Sequence, residues 1–278
     1  MRKFMFSILV VSLNPGEKLV ETIQSIWEQS YKEYEVVVKD GGSKDNSLLL
    51  LEEFLEKNPE AKQVVRVIKE PDKSIYDGMN QATAHGEGEY YYFLNCGDVF
   101  ANNQALEQMA QGILADRGQG GQALIYYGNI YDALRGQVVQ SNPKIDAFAC
   151  YRNVPCHQAC IYHYSLFQER GYEPKYRVRG DYEHFLWCFF EKKAAPKYVD
   201  VVLASYEGGG FSETKENIQR SKREHKEITE KYMSKGQLLR YKLILLLTLS
   251  PLRTRMAESQ RFAGFYQSLK KKLYGNRG

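Results

Sequence analysis

The chain has 278 residues, 43% of them hydrophobic and 26% charged, with a formal net charge of +4. That is the make-up of an ordinary soluble globular protein, long enough for one large domain with extensions, and it excludes a disordered chain. The charge also argues against a nucleic-acid-binding body, because it is gathered at one end: Pro251 to Gly278 carries seven basic residues against one acid, leaving the rest about neutral.

Met1-Arg2-Lys3 is basic, but Phe4 to Leu13 already reads as a strand and no cleavage site follows, so no secretory signal is expected. Phe6 to Leu13 is apolar without alternation, as in a strand buried on both faces, and Asn14-Pro15-Gly16 breaks it. Leu19, Ile23 and Ile26-Trp27 recur at helical spacing up to about Gln29. Tyr34 to Lys39 is a second buried strand, stopped by Asp40-Gly41-Gly42-Ser43. Ser43, Asp45 or Asn46 can cap the next helix, Ser47 to Lys57, which Asn58-Pro59 ends. Val64 to Ile68 is a third strand, Ser74 to Ala84 a short helix and Glu89 to Leu94 a fourth strand.

This alternation predicts a parallel sheet wrapped by helices, a class that binds ligands outside the carboxyl ends of its strands. Four polar clusters fall at those ends: Ser12-Asn14, Asp40-Ser43, Pro71-Ser74 and Asn95-Asp98. An aromatic strand that stops in Asn95-Cys96-Gly97-Asp98 offers a carboxylate at the sheet edge, and with the other clusters it reads as a nucleotide-sugar site.

Beyond Asp98 the pattern changes. Leu106 to Leu114 is helical, and Ala123 to Tyr131 with Gln137 to Ser141 makes a hairpin around Arg135-Gly136. Tyr164 to Arg170 and Asp181 to Lys192 read as helices, and Tyr198 to Tyr206 as a strand. From about Glu213 the chain is helical and amphipathic or basic. Leu238 to Leu249 is apolar but short and broken by Arg240 and Lys242, so it does not reach the roughly 20 residues of a spanning helix. It could lie in a membrane interface, with the basic tail on anionic headgroups at the cytoplasmic leaflet, or pack on the body of the protein, or form a dimer contact. Cys96, Cys150, Cys156, Cys160 and Cys188 are expected as reduced, cytoplasmic thiols. Cys156-His157-x-x-Cys160 with Cys150 could be drawn as a zinc site, although the spacing fits no usual pair of ligand knuckles.

Taken in order, SILVVSLN, VVVKDGGSKDNS, EPDKSIYDGMNQA, GEYYYFLNCGD, CHQACIYHYSLF, GDYEHFLW and YEGGGFS resemble the family-2 glycosyltransferases with the GT-A fold. The likeness is closest to bacterial enzymes that build surface polysaccharide or lipid-linked oligosaccharide, and it covers about residues 4 to 212. It implies an α/β catalytic domain over 1–212, with a donor half (1–98) and an acceptor half (99–212), followed by a helical extension (213–278). It also implies transfer of a sugar from a nucleotide donor, usually with inversion and a divalent metal, Mn or Mg.

Such chemistry needs a neutralised leaving diphosphate, a carboxylate to take the acceptor's proton and a gripped nucleotide. By the resemblance, Asp98 is the metal ligand, in a motif whose first position is here Asn95, a candidate for a sugar hydroxyl. Asp181 is the base, preceded by Gly180 where relatives commonly carry another acid, with Glu183 as the alternative. Asp40 is assigned to the nucleobase, in most relatives uracil, and Ser12, in the first of the polar clusters on that edge, is a further substrate-binding candidate. Asp72, Lys73, Asp77 and Asn80 fall where relatives contact the nucleotide or diphosphate, and His157, with Gln158, near the acceptor. Gly208 to Ser212 would be a loop that closes over the donor.

Gln237-x-x-Arg240-Tyr241 is similar to the Gln-x-x-Arg-Trp signature of processive synthases, but the Trp is missing, so a single-addition enzyme is expected. Two other readings are a sugar nucleotidyltransferase, disfavoured because no Gly-rich basic loop follows the first strand, and a non-catalytic binding or assembly protein of the same fold.

Overall fold

The computed structural model describes residues 2–208 and 214–247. Most of the expected closing loop (209–212) and the basic tail (251–278) lie outside these residues, as do Thr248 and Leu249. The chain divides into two compact units, Met1–Ile228 and Thr229–Gly278.

In the first unit β1 (Phe4–Ser12), β2 (Tyr34–Asp40) and β4 (Gly88–Phe93) are buried almost throughout, which is why they read as unbroken apolar runs. They alternate with α1 (Lys18–Trp27), α2 (Ser47–Lys57) and α4 (Ile75–Thr83), and β3 (Val65–Lys69) adds the outer strand. Leu19, Ile23 and Ile26 are the core face of α1. Asn58 ends α2 as expected, but Pro59 also opens a short helix, α3 (Pro59–Val64), because proline's missing N–H and fixed φ suit the first helical position.

The rest is β5 (Val99–Phe100), α5 (Ala105–Gly118), β6 (Ile125–Asp132), β7 (Gln137–Val139), α6 (Ala147–Arg152), a 3₁₀ turn (His157–Ala159), β8 (Cys160–His163), α7 (Tyr164–Glu169), α8 (Gly180–Phe190), β9 (Pro196–Tyr206) and α9 (Lys215–Tyr232). The strands form one nine-stranded sheet, ordered β3-β2-β1-β4-β8-β6-β9-β5, with β7 paired to β6. The expected parallel sheet is β3-β2-β1-β4. Past β4 the sheet is mixed: β8 runs antiparallel to both β4 and β6, and β9 runs parallel to β6. Sequence reading missed β5, β8, α3 and α6. The two strands are only two and four residues long, so neighbouring strands rather than local pattern define them. The hairpin around Arg135-Gly136 is present, with Gly136 at φ +64°.

The tyrosines chiefly build this sheet. Tyr90 and Tyr92 on β4 and Tyr126 and Tyr127 on β6 are fully buried, each contributing on the order of 2–3 kcal/mol by burial. Their hydroxyls find partners: Tyr92 donates to the Gln158 carbonyl (2.9 Å) and Tyr127 to that of Asn142 (2.8 Å).

In the second unit α10 (Lys235–Leu247) opens with a capping box, Ser234 with Gln237. Leu239, Leu243, Leu246 and Leu247 on it are exposed. No described helix is long and apolar enough to cross a membrane.

Candidate active site

The carboxyl ends of β1, β2 and β4 lie side by side, with Ser12 in register with Asp40. The loops that leave them are bonded to one another. Asn14, at φ +49°, donates its N–H to Ser43 Oγ (2.8 Å) and accepts from the Lys44 N–H at its side-chain oxygen (2.7 Å). Gly16 N–H donates to Asp45 (2.8 Å), and Gly41 N–H to the Ser12 carbonyl (2.8 Å). Asp40 is buried and accepts from the Gly42 and Ser43 N–H groups (both 2.9 Å) and from the Ser43 hydroxyl. Its carboxylate therefore closes its own turn.

Asp72 lies against this turn. A Cβ at Gly41 would run into its carboxylate and one at Gly78 would come within 3.0 Å of it, so glycine at both leaves the carboxylate room. It pairs with Lys39, whose side chain is wholly buried at the end of β2. Sequence reading passed over Lys39, yet a charged residue closing a run buried on both faces must meet a counter-charge. Asp77 accepts from the Lys73 N–H (2.8 Å), while the Asp77 N–H donates to Ser74 Oγ (3.2 Å), a capping pair that starts α4. Lys73 itself is exposed. Asn80 points elsewhere: its amide bonds both the N–H and the carbonyl of Tyr172 (2.8 and 2.9 Å), and it lines a different cavity, that of Arg2 and Arg170.

A cleft of about 730 Å³ opens at this edge of the sheet, with Asn95, Asp98, His157 and Asp181 all on its wall. Asp98 is buried and held from two sides, by the Gln158 side-chain N–H (2.8 Å) and the Glu207 backbone N–H (3.1 Å). Burial raises its pKa above the ordinary carboxylate value, and those two donors partly oppose the shift. Gly97, at φ +98°, leaves room for Glu207, which an added Cβ would approach to 2.6 Å; Glu207 in turn pairs with Lys18 (2.7 Å). His157 is kept neutral by burial, and its Nε2 lies 3.1 Å from the Asn95 side-chain nitrogen.

Asp181 stands in the first turn of α8, where the helix N-terminus favours a carboxylate. It accepts from the Tyr76 hydroxyl (2.9 Å). The loop before it is pinned by Glu224, whose carboxylate takes the N–H groups of Arg177, Val178 and Arg179 at 2.8–3.0 Å. Glu183 is corrected as an alternative base: it is fully buried and forms a two-bond ion pair with Arg170 (3.1 and 2.8 Å). Their places on the helix decide this, since residues two apart on a helix face different sides.

The fit to a divalent ion rests on few donors. Among the described residues no group of three or more His, Cys, Asp or Glu side chains could cage one. Asp98 lies close to Asn95, whose buried side-chain oxygen has no hydrogen-bond partner. One carboxylate with an orphaned amide oxygen fits a hard cation that arrives with a diphosphate and completes its shell from phosphate and water. The cysteines show no zinc arrangement: Cys156 donates to the Gln158 side chain (2.8 Å), and burial pushes its thiol up to about 12.

Comparison with known proteins agrees with the architecture. Residues 7–172 match the family model described as "Glycosyl transferase family 2". A PGL/p-HBAD biosynthesis glycosyltransferase of Mycobacterium tuberculosis (strain ATCC 25177 / H37Ra) is 30% identical over 212 residues, covering 76% of this chain and 80% of the relative. Glycosyltransferase GlyG of Streptococcus pneumoniae serotype 4 is 29% identical over 131 residues, 46% of this chain and 40% of GlyG. Among solved structures, S. aureus TarS 1-349 in complex with UDP-GlcNAc aligns at a TM-score of 0.63 and 19% identity, over 84% of this chain and 69% of that one. The mannosyltransferase PcManGT of Pyrobaculum calidifontis, in complex with GDP-Man and Mn2+, aligns at 0.59 and 13% identity, over 98% and 88%. The sheet with its flanking helices is therefore the GT-A fold, and the chain belongs to glycosyl transferase family 2.

Proposed function

We propose that this glycosyltransferase moves one sugar, with inversion, from a nucleoside-diphosphate sugar to a hydroxyl of a saccharide acceptor in bacterial polysaccharide or glycolipid synthesis. The observation that carries the reading is the shared cleft: two carboxylates on different elements, Asp98 and Asp181, line one cavity at the carboxyl edge of the sheet in unlike surroundings. Unlike environments are how two acids acquire two roles.

In this reading Asp181 takes the proton of the acceptor hydroxyl as its oxygen bonds to the anomeric carbon. The bond from that carbon to the diphosphate breaks on the opposite face, and the nucleoside diphosphate leaves with the electron pair. Asp98 and Asn95 would hold a divalent ion, which when bound would supply charge neutralisation at the leaving group. Gln158 and the Glu207 N–H keep Asp98 aimed into the cleft, and neutral His157 offers a hydrogen bond to a sugar hydroxyl. Ser12 and the turn built by Asp40 shape the floor for the nucleobase, while Asp72, Lys73 and Asp77 border the nucleotide.

A UDP-sugar is the favoured donor, since TarS 1-349 is crystallised with UDP-GlcNAc, although PcManGT holds GDP-Man. The catalytic region is assigned to 1–212 and the helical extension to 213–278. The exposed leucines of α10 and the basic tail support work at the cytoplasmic face of a membrane on a polyprenyl-linked saccharide, or a dimer contact. A calorimetric titration with UDP, GDP and dTDP, with and without Mn²⁺, on wild type and Asp98→Ala tests the donor site. Selective, metal-dependent binding that the substitution abolishes is expected. A folded protein that binds none of them would instead be a non-catalytic relative.

A further inference from the structure

Tyr76 belongs to α4, in the first half of the chain, yet its hydroxyl reaches the first turn of α8, 2.9 Å from Asp181 Oδ1 and 3.0 Å from the Val178 carbonyl. Its ring is buried and packs on Tyr172, with centroids 5.2 Å apart. The neighbour of the carboxylate is shaped to receive it: a Cβ on Gly180 would come within 2.8 Å of the Tyr76 ring. Glycine at 180 thus makes room for the ring.

A phenol has one proton to donate. Two acceptors within reach of one hydroxyl imply a choice, and the charge on Asp181 decides it, because a hydrogen bond to an ionised acceptor is about twice as strong as one to a neutral acceptor. Burial, then the adjacent carboxylate, holds the Tyr76 pKa far above its ordinary value, so the phenol keeps its proton.

We infer that Tyr76 is a positioning residue for Asp181, donating to it while it is a carboxylate and turning to the Val178 carbonyl once Asp181 has taken the acceptor's proton. This rests on Asp181 being the base. No proton leaves Tyr76 in the cycle: the acceptor O–H proton ends on Asp181, and the phenolic O–H only changes partner. The hydroxyl fixes the carboxylate's orientation and frees it on protonation. It also ties the base to α4, which follows the loop that carries Asp72 and Lys73.

The test is a carboxyl ¹³C NMR titration of protein labelled at aspartate, with Asp181 assigned by its loss in Asp181→Asn. The other groups around Asp181 are Arg177 and Arg179 before α8, Cys156 and His157 at the 3₁₀ turn, Cys160 and Tyr162 on β8, and Tyr172. All are retained in Tyr76→Phe, which removes only the hydroxyl. The Asp181 carboxyl resonance is expected to shift in Tyr76→Phe, because the carboxylate loses a charge-assisted donor. With whichever of UDP-glucose, UDP-galactose or UDP-N-acetylglucosamine releases UDP, kcat should fall about tenfold or more, the donor KM staying within about twofold. Gly180→Ala, which pushes the ring aside but keeps the hydroxyl, should move the resonance the same way and serves if Tyr76→Phe does not fold. An Asp181 resonance unchanged in both variants overturns the inference. Full turnover by Asp181→Asn would overturn the base assignment, separately from the NMR result.

Discussion

The two sides of the cleft use their polar groups differently. On the side of the loops after β1, β2 and β3, Asp40, Asp45, Asn14 and Asp77 are bonded into the backbone of those loops. On the opposite wall Asp181 meets one phenol, and His157 and Asn95 each keep a buried atom without a hydrogen-bond partner. Unbonded polar atoms are costly in the empty protein and useful only when a ligand completes them. In the proposed function the first side, although Ser12 Oγ there also lacks a partner, serves mainly shape and stability, and the second chemistry. Substitutions on the first should show in unfolding, and those on the second in turnover.

The largest effect is expected at Asp181. Asp181→Asn should lower kcat by about 10³-fold, within the range for loss of a general base, while leaving nucleotide affinity and Tm nearly unchanged. A comparable loss of UDP binding, read by calorimetry, would erase the contrast between the walls.

Asp98 should show both behaviours with opposite signs. Asp98→Asn is expected to cost about 100-fold in kcat. It should nevertheless raise Tm at pH 7. Burial lifts the folded-state pKa above the ordinary 3.8, so the penalty of the ionised form is absent below that value and grows as pH rises through the folded pKa. Thermal melts from pH 4 to 8 would show the gap between wild type and variant widening upward.

Asp40→Ala removes three bonds to one turn and should destabilise by about 3 kcal/mol, roughly 6–12 °C in Tm. Any kcat loss should follow the fraction unfolded, which denaturant titration beside the assay would resolve. The smallest effect is expected at Asn80. Asn80→Ala gives up two bonds to Tyr172, about 1–2 kcal/mol, with nucleotide affinity unaltered. A clear loss of nucleotide affinity would return it to the binding site.

The acid side offers a sharper control away from the cleft. His184 is wholly buried among aromatic rings, stacked on Phe167 at 4.4 Å, and burial depresses its pKa to about 3. Both states are neutral above the ordinary 6.5. As pH falls from 6.5 toward 3 the unfolded chain takes up the proton first, and stability drains away. His184→Phe should flatten that limb of a urea-monitored stability curve, with turnover at pH 7 retained.

Much of the frame was legible because it is local. Unbroken apolar runs, turn residues at their ends and helical spacing between them located β1 to β4 and their helices, and ordered motifs brought Asp98, Asp181 and His157 onto one cleft. Motif position could not tell which carboxylates are spent. Asp40 and Asp77 match the motif as well as Asp98 does, yet their oxygens bond their own loops. Glu183 and Asp181 differ by two residues, and only the rotation of α8 sends one to Arg170 and the other to the cleft. Lys39, Tyr76 and Glu224 carried too little local signal, because each acts through a partner 33 or more residues away.

By itself, then, the sequence determined the alternating elements, the functional edge of the sheet and the family, since these follow from periodicity, turn chemistry and motif order along the chain. Tertiary structure alone decided the insertion of β8 between β4 and β6, the pairing of Lys39 with Asp72, and the contact of Tyr76 with Asp181. Those depend on which distant groups meet in a low-dielectric interior, where a polar atom must find a partner and no local pattern names it.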